Sequence, residues 1–95
     1  MTSKQRAKLK SLAMNIDPVV RIGKDGLTPE IVKAASEALA ARELIKVGIL
    51  NNCFDDPKYL AEGLSERTRS QVVQIIGKKI VLYKEGDGDK KKIIL

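Results

Sequence analysis

Val19-Val20-Arg21-Ile22-Gly23-Lys24-Asp25-Gly26-Leu27-Thr28-Pro29-Glu30 holds a strand, a turn and a helix start within twelve residues. The first four are mostly β-branched and stand between Pro18 and Gly23, which marks a short strand. Gly23 to Gly26 is a turn. Thr28, Pro29 and Glu30 then place a capping hydroxyl, a proline at the first helical position and an acid in the first turn.

Outward from this stretch the pattern extends both ways. Upstream, Thr2 and Gln5 are spaced as a capping box, and Leu9, Leu12, Ala13 and Ile16 recur at helical spacing. That helix should run until Pro18 stops it. Downstream, Ile31, Val32, Ala35, Ala38 and Leu39 give the second helix a buried face up to about Arg42. Leu44 to Leu50 reads as a second strand, Asn51 to Asp56 as a polar loop, and Pro57 to Arg67 or Thr68 as a third helix. Gln71 to Ile76 and Lys79 to Tyr83 make a hairpin around Gly77-Lys78. Its first arm could continue the preceding helix, but Val72, Val73, Ile75 and Ile76 favour a strand.

The order is therefore αβαβαββ. The strand–helix–strand unit implies two parallel strands with a right-handed crossover, and the hairpin adds an antiparallel pair. The expected fold is an α/β two-layer sandwich on a mixed four-stranded sheet. One domain over residues 1–85 uses the length well, and residues 86–95 read as a charged, solvated and partly mobile tail.

Composition narrows the function. The net charge is +6, and the first 28 residues hold +4 of it, with Lys4, Arg6, Lys8, Lys10, Arg21 and Lys24 facing only Asp17 and Asp25. Such an excess favours polyanions, because each neutralised phosphate releases condensed counterions. The chain has no histidine, so the commonest general base and metal ligand is missing, and its one cysteine, Cys53, lacks a histidine to activate it. Asp55-Asp56 is the one adjacent acid pair, with no third spaced carboxylate to complete a metal site. The expectation is a protein that is not an enzyme, with no catalytic residue, metal or cofactor. The lone cysteine and the lack of a membrane-length apolar run suggest a cytoplasmic protein with neither membrane nor small-molecule partners.

The turn Gly23-Lys24-Asp25-Gly26 is the candidate site. Glycines let backbone amides approach a phosphate, Lys24 adds charge, and the following helix offers the positive end of its dipole. A G-x-x-G loop clamps nucleotide backbone in KH domains by the same logic. An ordinary tight turn uses glycine in the same way, so position between a strand and a capped helix carries the reading. Asp25 must point away from phosphate.

These segments resemble a known family. Lys4-Gln5-Arg6 through Leu12-Ala13, Pro18 through Thr28, Glu37-Ala38-Leu39, Ala41 through Val47, Val73 through Gly77 and Val81 through Lys84 are similar to the CRM domain (chloroplast RNA splicing and ribosome maturation). The likeness runs over about residues 3–85. A lone domain of this length resembles the stand-alone bacterial YhbY-like proteins, which are associated with large ribosomal subunit precursors. The resemblance implies a fold similar to the C-terminal domain of translation initiation factor three. It also implies RNA contact through Gly23, Lys24, Asp25, Gly26 and the basic residues nearby. The family loop commonly has asparagine where this chain has Asp25, which adds a negative charge.

The RNA-binding set expected from sequence is thus Gly23 to Gly26 with Lys4, Arg6, Lys8, Lys10 and Arg21. Arg21 and Lys46 could stand on an exposed sheet face or at an edge. Arg42 suits either a helix C-terminus or RNA, and Tyr83 either stacking or packing. Lys90 to Lys92 gain no role from the resemblance. The favoured function is an RNA-binding factor in ribosome maturation whose partner is ribosomal RNA of the large-subunit precursor. The alternative is a protein-interaction adaptor on the ribosome.

Overall fold

The computed structural model describes residues 1–86 and residue 93. Its elements are α1 (Ser3–Ala13), β1 (Val20–Ile22), α2 (Pro29–Arg42), β2 (Leu44–Ile49), α3 (Pro57–Thr68), β3 (Gln71–Ile76) and β4 (Lys79–Tyr83). The αβαβαββ order and the mixed four-stranded sheet are those expected. The strand order is β1-β2-β4-β3, with β1 parallel to β2 and both other pairings antiparallel.

Local chemistry sets the helix starts. Thr2 Oγ1 accepts from the Gln5 amide at 3.1 Å while Gln5 Oε1 accepts from the Thr2 amide at 3.0 Å, which completes the capping box. Thr28 caps α2 by accepting from the Ile31 amide at 3.2 Å, with Pro29 following it. Asp56 caps α3 by accepting from the Lys58 amide at 3.0 Å, again ahead of a proline.

Both faces of the sheet are covered, so the layering is fuller than the two layers expected. Val20, Ile22, Ile45, Val47, Ile49, Ile80 and Leu82 face α2 and α3, where they pack with Ala35, Leu39, Leu60, Ala61 and Leu64. Leu44, Val73, Val81 and Tyr83 face the other way and meet Leu9 and Ala13 of α1. The reason lies in β2 and β4, whose consecutive residues are apolar and buried on alternate faces. Truncating a core leucine such as Leu60 to alanine should cost about 2–5 kcal/mol.

Several boundaries differ from expectation. The first helix stops at Ala13 rather than at Pro18, and Leu12 is 42% exposed instead of joining the core. Leu9 and Ala13 are one turn apart and face the sheet directly, which turns Leu12 to the flank. Ile16 still packs on that cluster, from the segment beyond the helix. Val19 and Leu50 fall just outside their strands, although the Val19 amide donates to the Lys46 carbonyl at 3.0 Å. A register shift between Val72 and Gln74 marks a bulge in β3.

The tail read from sequence as solvated is tied to the domain at two points. Glu43, 1% exposed, accepts through its carboxylate from the Gly86 amide and, at 2.6 Å, from the Ile93 amide. Ile93 packs on the cluster beneath α1. Lys90 to Lys92 lie outside the described residues. Among the described residues no helix is long and apolar enough to cross a membrane.

Candidate nucleic-acid interface

Gly23 to Gly26 leave the end of β1 as a closed turn. The Gly26 amide donates to the Gly23 carbonyl at 3.1 Å, and the Thr28 amide donates to the Gly26 carbonyl at 3.1 Å. Lys24 and Asp25 are therefore the two central residues, and both are exposed at the tip. Gly26 has φ 67°, a conformation in which a Cβ is costly. The turn leads directly into the N-terminus of α2.

The β2–α3 connection supports this turn. A Cβ on Gly23 would stand 3.7 Å from both Asn52 Oδ1 and Leu50 Cδ1, and one on Gly26 would stand 3.1 Å from Asp55 Oδ2. The adjacent acids Asp55 and Asp56 thus each have a local place, one beneath Gly26 and one capping α3. With Asp25 at the tip and Asp55 below it, the turn itself is not strongly positive.

The cationic side chains gather alongside. Registers across all four strands align Arg21, Gly48, Lys79 and Ile76 in one row, and Lys46, Val81 and Gln74 in the next. This is the face that carries α1, which covers Leu44, Val73, Val81 and Tyr83 and leaves the Arg21–Gly48–Lys79 row open. At the open end a groove of about 440 Å³ is lined by Arg21, Leu50, Asn51, Ile76, Lys78 and Lys79, over a floor left low by Gly48. A smaller recess continues it through Ile76 to Lys10 and Lys46. Five cations line the two, and among the described residues no Asp or Glu does. Leu50 links this groove to the turn, since it lines the former and its amide donates to the carbonyl of Ile22, just before Gly23, at 2.9 Å.

The residues singled out from sequence therefore separate. Arg21, exposed on the edge strand β1, and Lys46, on the interior strand β2, both stand on the open sheet face with Lys10 beside them. Lys4 and Lys8 are exposed on α1. Arg6 is turned inward, where Nη1 donates to the carbonyls of Val72 at 2.9 Å and Val73 at 2.7 Å. Tyr83 is buried against α1, and Arg42 ends α2 in solvent. Sequence reasoning missed Lys78 and Lys79. The signal was present as two cations at the tip of a hairpin, a position that presents side chains outward, next to no acid.

Comparison with known proteins is consistent along the whole chain. The CRS1 / YhbY (CRM) domain matches residues 1–84. "Probable RNA-binding protein YqeI" of Bacillus subtilis is 47% identical over 90 residues, covering 95% of this chain and 94% of that protein. A Haemophilus influenzae protein named "RNA-binding protein" is 32% identical over 87 residues, covering 92% of this chain and 88% of that one. The solved structure of SAV1595 from Staphylococcus aureus is similar at a TM-score of 0.81 and 48% identity, covering 99% of each chain.

Proposed function

The chain belongs to the CRS1 / YhbY (CRM) domain family, and we propose on that premise that it is a cytoplasmic RNA-binding protein of ribosome maturation. Its ligand is structured ribosomal RNA of the large-subunit precursor, held mainly by the sugar–phosphate backbone. The relatives are named for RNA binding and not for a reaction, which fits a binding role.

One observation carries the reading. Lys10, Arg21, Lys46, Lys78 and Lys79 come from four different elements and the hairpin tip, yet line two adjoining recesses that share Ile76 and hold no acid among the described residues. Lysines and arginines that served only solubility would be interspersed with acids. A run of phosphates along this face releases counterions, and the Gly23–Gly26 turn at its end adds Lys24 and the helix N-terminus. Arg6 serves here as a fastener rather than as a contact, because its guanidinium is engaged with β3.

The test is affinity for fragments of large-subunit ribosomal RNA as a function of salt. Binding should weaken steeply between low and moderate salt. Salt-independent binding, or none, would remove the proposal. Ribonuclease treatment of a pulldown adds a second arm, since partners that survive the nuclease would point to a protein-interaction adaptor instead.

A further inference from the structure

The chain has three aromatic residues, one Phe and two Tyr. Tyr83 is buried in the core, whereas Phe54 is 93% exposed and Tyr59 is 63% exposed. A phenyl ring left almost wholly in water gains little from folding, and its face is open to a planar partner. Phe54 is fixed beside the Gly23–Gly26 turn. Leu50 and Asn52 stand where a Cβ on Gly23 would meet them, Asp55 stands where one on Gly26 would, and Phe54 lies between Asn52 and Asp55 in sequence. Cys53, its neighbour on one side, is buried in the core, and Asp56 anchors the segment on the other by capping α3. The ring is thus exposed on a loop pinned on both sides, which approaches the Gly23–Gly26 turn through Asn52 and Asp55 and reaches the cationic groove through Asn51.

We propose that Phe54 is a stacking platform for an unpaired RNA base, splayed from a strand whose phosphates run along the groove past the turn. The proposal rests on the RNA-binding reading above and adds a substrate class to it: RNA with a single-stranded nucleotide beside the backbone-bound stretch. Every base has a π-face, so the contact is sequence-tolerant. It also needs a base out of its helix, because paired bases in an A-form duplex present only their edges. Tyr59, in the first turn of α3, is a second exposed ring five residues on.

The chain has no tryptophan, so Phe54→Trp supplies one fluorophore at the position in question. Titration with a single-stranded oligoadenylate of about ten nucleotides should quench the indole, and a blunt duplex of equal length should not. Phe54→Ala should weaken oligoadenylate binding about tenfold while leaving the salt slope unchanged, because stacking releases no counterion. Phe54→Tyr should restore most of the affinity, and thermal melts of all three variants should match the parent, given the exposure of the site. Unchanged oligoadenylate affinity in Phe54→Ala, with the parent still binding, overturns the stacking role and leaves the RNA-binding reading intact. Loss of nuclease-resistant partners in Phe54→Ala without loss of RNA affinity makes the ring a protein contact and also overturns it. A parent chain that binds neither probe nor ribosomal RNA overturns both together.

Discussion

Arg6 Nη1 donates to the carbonyl of Val73 at 2.7 Å, fastening the first helix to the bulge of β3 across 67 positions of sequence. The same nitrogen reaches the Val72 carbonyl at 2.9 Å. The bulge breaks the ladder at this point, so carbonyls that a regular strand would turn to a neighbour are answered by a guanidinium instead. Arg6→Ala should lower stability by about 1–3 kcal/mol in a denaturant titration, by leaving these acceptors without their charged donor. RNA affinity, measured under conditions where the variant is folded, should hardly change. A large loss of affinity with no loss of stability would make Arg6 a contact after all.

Gly26 permits a different separation. Its φ of 67° costs an L-residue about 1–2 kcal/mol, and an added Cβ would crowd Asp55 Oδ2 at 3.1 Å. Gly26→Ala should therefore destabilise the domain by at least that amount and displace the Asn52–Asp55 support. Gly77, at φ 54° with nothing near its Cβ position, is the control. Gly77→Ala should carry only the conformational cost. Thermal melts of the two variants measure the difference, which reports how tightly the turn is held.

Much of this was legible in the sequence because the informative signals were local. The Thr2–Gln5 box, the Thr28-Pro29 start and the hairpin around Gly77 depend on neighbours within a few residues, and all three stand where expected. The end of α1 was not legible. Leu12 and Ile16 fit the helical stripe, yet the face that packs is chosen by the sheet beneath Leu9 and Ala13, which no local pattern describes. The same holds for the site. The turn could be read from four residues, but the cationic face draws on Lys10, Arg21, Lys46, Lys78 and Lys79, scattered from position 10 to position 79 and joined only by strand register. Arg6 looked identical to Lys10 in sequence, and only the bulge in β3 distinguishes their roles.

Glu43 tests how the C-terminal segment is held. It is buried, ends α2 with a φ of 65°, and accepts from the Gly86 and Ile93 amides. Glu43→Ala removes the acceptor and keeps the strained backbone, so it should cost about 2–4 kcal/mol. Glu43→Gly also removes the acceptor but relieves the backbone, and should be about 1 kcal/mol less damaging. Both variants should speed hydrogen exchange at the Gly86 and Ile93 amides. Equal damage from the two, with exchange unaffected, would show that the carboxylate does not anchor this segment.

The cationic face makes a quantitative claim about salt. If each of its five cations neutralises one phosphate, the slope of log affinity against log salt should be roughly −3.5 for single-stranded contacts and −4.5 for duplex. Lys79→Ala and Lys46→Ala should each reduce the magnitude of that slope by about 1 and weaken binding similarly for all RNA sequences. Lys33 is the natural comparison, being exposed on α2 and lining the groove against α3 on the other side of the sheet. Lys33→Ala lowers the net charge by the same amount and should leave the slope nearly unaltered. Filter binding or anisotropy over a salt series measures all three. A slope that responds equally to Lys33 and Lys79 would mean that net charge alone attracts the RNA. A response confined to Lys46 and Lys79 would place the phosphates in the open groove between α1 and the hairpin tip, where the Arg21–Gly48–Lys79 row crosses the sheet.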